Sequence, residues 1–262
     1  MGDFEDSYED YFYIENYDQL FGKQSDLIDV QGDLLAKGIP QKNELYFLGF
    51  ASYESQSVFR NEVEHVESLM EKDFHLPNHS IKLINSRETI DSHPLATGGN
   101  IQKALSVLES KMNIDEDILF LYLTSHGSAD HQLSVSFYPL SLANLTPEIL
   151  GSYLKNTKIK WQIIVISACY SGGFVDELKG DNNIVVTAAD STNTSFGCAD
   201  DREFTYFGEA LFKNNFSPEK HLIDTFEHAI EQIAVREKEE SLKASNPQMW
   251  IGKNIRNHLS EF

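Results

Sequence analysis

The stretch Asp117-Ile118-Leu119-Phe120-Leu121-Tyr122-Leu123-Thr124-Ser125 decides the fold class. Its apolar run is strand-sized, far short of a membrane span, and lacks the polar alternation of a half-exposed strand. It therefore reads as a strand buried on both faces, as in a parallel sheet. Similar runs flank it: Leu45 to Ala51 and Ile81 to Ile84 before it, Trp161 to Ser167 and Ile184 to Ala189 after it. Between them apolar residues recur at helical spacing, as in Val58, Phe59, Val63, Val66, Leu69 and Met70, and in Ile101, Leu105, Leu108 and Met112. Thr146-Pro147-Glu148 is a helix start with proline at the first helical position. A short helix is expected from about Ser171 to Leu178, and further helices over Phe204 to Phe212 and Pro218 to Leu242. Leu133 to Phe137 alternates as a short half-exposed strand, and Gln248 to Ile251 adds a last one. Strand and helix in alternation define an α/β class, a mostly parallel central sheet flanked by helices on both faces.

The 262 residues carry 41 Asp and Glu against 21 Lys and Arg, a formal charge of −20, with 41% hydrophobic residues. The apolar share is too high for a disordered chain, so a packed core is expected. Phosphate backbones and anionic membrane surfaces are repelled, and no basic cluster offsets this, so neither nucleic acid nor a membrane is an expected partner. Residues 1–40 read as an acidic, aromatic-rich extension, with Phe4, Tyr8, Tyr11, Phe12 and Tyr13 among acids, and residues 41–262 as one domain. No secretory leader or transmembrane segment is read in this sequence. The two cysteines, Cys169 and Cys198, are too few for a disulfide framework and show no metal-ligand spacing, so no metal or cofactor is expected. Compartment and oligomeric state are not legible.

The chemistry is read at strand ends, where functional residues gather in open α/β sheets. One strong strand runs into Thr124-Ser125-His126-Gly127, another into Ser167-Ala168-Cys169-Tyr170-Ser171-Gly172-Gly173. Alone, Cys169 would read as a buried small hydrophobe and His126-Gly127 as a turn. Together they supply a nucleophile and an acid/base group on adjacent loops. A thiol attacks as its thiolate, so it needs an electropositive setting. The Ser-Gly-Gly sequence after Cys169 is expected to turn tightly into a helix whose N-terminus favours negative charge. His126 would activate the thiol or protonate a leaving amine. The N–H groups of Gly127 and Cys169 would form an oxyanion hole, in which one donor is worth about 3 kcal/mol.

These motifs resemble the legumain family of cysteine peptidases, in the clan that also holds caspases, and most resemble its bacterial members. Ser-His-Gly after one strand and Ser-Ala-Cys-Tyr-Ser-Gly-Gly after the next carry the resemblance. Val185-Val186-Thr187-Ala188-Ala189-Asp190, Ser195-Phe196-Gly197-Cys198 and Thr205-Tyr206-Phe207-Gly208-Glu209 follow in order, over about residues 44 to 252. The resemblance implies a caspase-like three-layer sandwich and a His126–Cys169 dyad with His126 as proton donor. It also implies peptide or protein substrates, and a pocket for the residue before the scissile bond built from Arg60, Ser195 and Glu209. Where legumains carry an acid two residues before the cysteine, this chain has Ser167. That leaves the pocket nearer neutral, so cleavage after Asn is expected first and after Asp second. Arg60 also reads as an exposed residue at a helix start, and Glu209 as a surface helix residue. Transamidation or ligation by the same dyad, and a catalytically silent binding scaffold, are the alternatives. A Rossmann-type cofactor protein is weak, because no Gly-x-Gly-x-x-Gly follows the first strand.

Overall fold

The computed structural model describes residues 17–198, 202–218 and 221–259. Among these, the strands are β1 (Leu45–Ala51), β2 (Ser80–Ile84), β3 (Ile118–Thr124), β4 (Trp161–Ser167), β5 (Asn183–Thr187) and β6 (Gln248–Ile251). They form one sheet in the order β2-β1-β3-β4-β5-β6, parallel except for β6, which runs antiparallel to β5. The helices are α1 (Tyr17–Leu34), α2 (Ser57–Lys72), α3 (Gly98–Lys111), α4 (Pro147–Lys155), α5 (Val175–Leu178), α6 (Tyr206–Gly208), α7 (Leu222–Glu239) and α8 (Lys253–Leu259).

Every residue of β1, β3 and β4 is buried, which is why these strands read as unbroken apolar runs. Successive side chains feed opposite layers. Phe120 and Tyr122 of β3 join Phe59 and Val63 of α2, Phe207 of α6, Phe226 of α7 and Ile255 of α8. Leu119, Leu121 and Leu123 join Ile28 of α1, Ile101 and Leu105 of α3, Leu150 of α4 and Leu178 of α5. The result is helix, sheet and helix in three layers, as the α/β expectation required.

The sequence reading needs correction at three places. Leu133 to Phe137 makes only isolated bridges, from Leu133 to Gly127 and Leu145, from Ser136 to Tyr53 and from Phe137 to Leu140, so it ties loops together without forming a strand of the sheet. The span Phe204 to Phe212 divides into α6 and a π-helical turn over Glu209–Lys213. Helix α8 was not foreseen. Phe4, Tyr8, Tyr11, Phe12 and Tyr13 of the acidic, aromatic-rich extension lie outside the described residues. Within the expected extension, α1 packs on α3, with Ile28 fully buried and the Gln24 amide oxygen accepting from the Leu95 N–H at 2.6 Å.

The strand order places the site. From β1 the chain crosses to β2 on one side, then returns to β3 on the other, so the order reverses between β1 and β3. At such a switch the segments leaving the carboxyl ends diverge to opposite faces and open a crevice.

Candidate active site

The register of the three central strands brings the chemistry-bearing loops level. Ala51, Thr124 and Ser167 are paired across β1, β3 and β4. His126 and Cys169 each lie two residues beyond their paired strand ends. The Ser125 N–H donates to the Ser167 carbonyl at 3.2 Å, which continues the pairing past the last strand residue. A Cβ on Gly127 would collide with the carbonyl oxygen of Cys169, so the two loops meet backbone to backbone, and only glycine allows it. Among the described residues, neither the Gly127 nor the Cys169 N–H donates to a protein acceptor.

The His126 imidazole is held from three sides. Its Nε2 is 2.6 Å from the Oε1 of Gln56, and its ring stands edge-on to Tyr53 at 4.5 Å and to Phe59 at 5.3 Å between centroids. Gln56 is the residue before the first turn of α2, where a side chain would ordinarily cap the helix; instead its amide crosses the β1/β3 crevice to the imidazole. An amide oxygen accepts, so Nε2 carries the proton in this contact. Sequence reasoning missed Gln56. Glutamine has no catalytic signature of its own, and its role appears only when β1 and β3 are known to be neighbours.

The Cys169 sulfur lies 3.6 Å from the carbonyl oxygen and 3.7 Å from the hydroxyl of Ser195. The tight turn after β4 differs from expectation. Tyr170, and not a glycine, takes the left-handed conformation (φ 56°), with its N–H donating to the Asn193 carbonyl at 2.8 Å. Gly172 serves a different purpose: a side chain there would strike the backbone of Asp190 and Ser191. The helical segment behind the thiol is one 3-10 turn, Ser171–Phe174, followed by the four residues of α5, a short source of dipole. The second thiol, Cys198, is free and packs on the core, and burial pushes it up to about 12.

The proposed pocket residues do not all meet. Ser195 touches the Cys169 sulfur. Ser167 is buried, with its hydroxyl 3.2 Å from that of Thr205. Arg60 sits on α2, its Nη1 donating to the Ser86 hydroxyl at 3.1 Å and to Glu88 at 2.5 Å. It lines a cavity of about 180 Å³ together with Gln56, Glu54 and Asn85. Glu209 opens the π-helical turn, paired with Arg236 at 2.8 Å and Arg202 at 3.6 Å. No contact among the described residues joins Arg60 to Glu209.

The architecture and the strand-end site define the caspase-like class. Among solved structures, caspase-1 from Spodoptera frugiperda superposes with a TM-score of 0.54 at 12% identity, covering 83% of this chain and 88% of that one. A structure of pro-sf-caspase-1 matches with a TM-score of 0.52 at 11% identity, covering 82% and 87%. At such identities the likeness is one of fold. No curated protein sequence matches significantly. The family itself is established by sequence: the Peptidase C13 family profile matches residues 95–257, more than half of the chain, and the chain belongs to that family, the legumains expected from its motifs. Family and fold are those of cysteine peptidases, which act on peptides or proteins. The matched span contains His126, Gly127, Cys169, Ser195 and Glu209 but not Arg60. Among the described residues no helix is long and apolar enough to cross a membrane.

Proposed function

We propose that the protein is a legumain-type cysteine endopeptidase that cleaves after Asn, and secondarily after Asp, through a thioester on Cys169. The observation that carries this reading is the level placement of His126 and Cys169, each two residues past a register-paired strand end, with Gly127 pressed against the Cys169 carbonyl. In the reaction, the Cys169 thiol passes its proton to His126 as the sulfur bonds to the substrate carbonyl carbon, and the negative charge that develops on oxygen is met by the N–H groups of Gly127 and Cys169. Collapse of this adduct breaks the C–N bond, and His126 gives the departing amine its proton. Water then adds to the thioester, His126 takes its proton, and the acid product leaves with the thiol restored.

For specificity, we assign Ser195, Ser167, Arg60 and Glu209 to the pocket. Ser195 is in place against the sulfur. Arg60 is held by Glu88, a residue 75% exposed. The Arg60 side chain itself is only 16% exposed, so a substrate side chain that displaces the exposed Glu88 must keep the guanidinium paired. Glu209 is paired with Arg236 and Arg202.

The test is steady-state cleavage of peptides that differ only in the residue before the scissile bond, with Cys169→Ala as control. Turnover is expected to rank Asn above Asp, with none for the variant. Equal turnover by Cys169→Ala would remove the nucleophile, and a preference for Lys or a large apolar residue would remove the pocket.

A further inference from the structure

A fully buried carboxylate near the site, hydrogen-bonded four times, belongs to a residue the mechanism does not use. Glu62, on α2, is fully buried. Its Oε2 accepts from the Tyr122 hydroxyl and the Thr124 hydroxyl, each at 2.7 Å. Its Oε1 accepts from the Thr205 N–H at 2.7 Å and the Thr205 hydroxyl at 2.6 Å. Among the described residues no cation pairs with it. An unpaired buried carboxylate is costly unless its oxygens are fully hydrogen-bonded, and here four donors meet that demand.

The segments it joins are those that deliver the candidate site. Arg60 is two residues before it on α2. Thr124 is two residues before His126. Thr205 precedes α6, caps its Gly208 N–H at 2.9 Å, and receives the hydroxyl of Ser167, two residues before Cys169. The Tyr206 N–H donates to the Phe196 carbonyl at 3.0 Å, which couples the Thr205 turn to the loop bearing Ser195. These attachments are not equivalent. Thr124 is already fixed by strand pairing to Ala51 and Ser167. The turn at Thr205 has no strand ladder, and the carboxylate is the hydrogen-bonded tie between it and α2.

We infer that Glu62 is a positioning residue for substrate specificity: through Thr205 it holds the wall that carries Ser195 and Glu209 at a fixed distance from α2 and Arg60. The inference rests on the proposed peptidase reading and adds to it a residue that never touches substrate. Glu62 sets the width of the pocket and leaves the chemistry of Cys169 and His126 alone.

Glu62→Gln is the direct probe. Its amide oxygen can keep the Thr205 N–H, and its NH2 can donate to the Tyr122 and Thr124 hydroxyls, which are free to rotate. The variant thus retains hydrogen bonding but loses the charge, and a charge-assisted bond is roughly twice as strong as a neutral one. The full-length variant should show KM for an Asn peptide raised about tenfold, kcat within about threefold, and hydrogen exchange at the Thr205 amide about tenfold faster, with β3 and β4 amides unchanged. An unchanged KM, or unchanged exchange at Thr205, would overturn the inference. Should Glu62→Gln fail to fold, Thr205→Val, which deletes one of the four donors, carries the same expectation for KM, and an unchanged KM overturns it equally. If the wild-type protein cleaves none of the peptides, the peptidase reading fails, and exchange at Thr205 alone decides whether Glu62 is the anchor.

Discussion

Gln56 and His126 are joined across the β1/β3 crevice by a 2.6 Å contact from amide oxygen to imidazole Nε2. A neutral acceptor orients the ring and fixes its tautomer without the strong stabilisation of imidazolium that a carboxylate would bring. Gln56→Ala is expected to lower kcat on the order of tenfold with little loss of stability, since Gln56 does not cap α2. Gln56→Glu places an anion beside the ring and raises the His126 pKa. If His126 protonates the leaving amine as proposed, the alkaline limb of the kcat/KM profile should move to higher pH. A profile that does not move in Gln56→Glu would separate this contact from catalysis.

Gly127→Ala should be far more damaging than its size suggests. The added methyl meets the Cys169 carbonyl oxygen, so the two loops must part and carry both proposed oxyanion donors with them. A loss of about 10²–10³ in kcat is expected, the value of one such donor. Gly99→Ala, where the new methyl meets nothing within 4 Å, is the matched control and should keep wild-type rates. Comparable kcat for the two variants would argue against an oxyanion role for Gly127.

The loop over the nucleophile is pinned by Asp190. Its carboxylate accepts from Thr192 N–H at 2.7 Å, Asn193 at 2.7 Å and Asn246 at 3.0 Å. Burial opposes ionisation, but these donors outweigh it and hold the group down at about 2. The pKa is depressed on folding, so the stabilisation is present above the ordinary carboxylate range and is lost as pH falls through about 2. Asp190→Asn should therefore be less stable than wild type at pH 6, with the gap in Tm closing below about pH 3. A gap that stays constant with pH would mean the carboxylate charge is not what pins the loop.

The buried Glu62 has the opposite sign. Burial raises its pKa above the ordinary 4.5, so ionising it in the folded state costs stability as pH rises from that value through the folded one. Glu62→Gln carries no such cost. Its Tm relative to wild type should improve as pH rises above about 4.5, even as its KM worsens, the pattern of a site that trades stability for position. Thermal melts across that range check it, and a relative Tm that falls with pH would reverse the assignment.

What could be read before folding follows from how local each signal is. The strands β1, β3 and β4 are buried on both faces, and burial is written into consecutive residues such as Leu45-Tyr46-Phe47-Leu48. His126 and Cys169 were legible because each follows such a strand directly. Gln56 and Glu62 were not, since their partners lie 70 and 143 residues away in sequence, at His126 and Thr205. Leu133 to Phe137 carried a strand's alternation, yet its partners are single loop residues. The turn after Cys169 was misread for a related reason: Gly172 and Gly173 suggested a backbone need, while the left-handed residue is Tyr170, and Gly172 answers to a neighbour, the Asp190–Ser191 backbone.

The thioester is the claim on which all of this depends, and it can be caught directly. Enzyme mixed with excess Asn-containing peptide, quenched in acid within its first turnovers and weighed intact, should carry the mass of the peptide's amino-terminal fragment. Digestion should map that adduct to Cys169, and Cys169→Ala should show none. An adduct on Cys198 or elsewhere, or cleavage that persists in Cys169→Ala, would contradict the account.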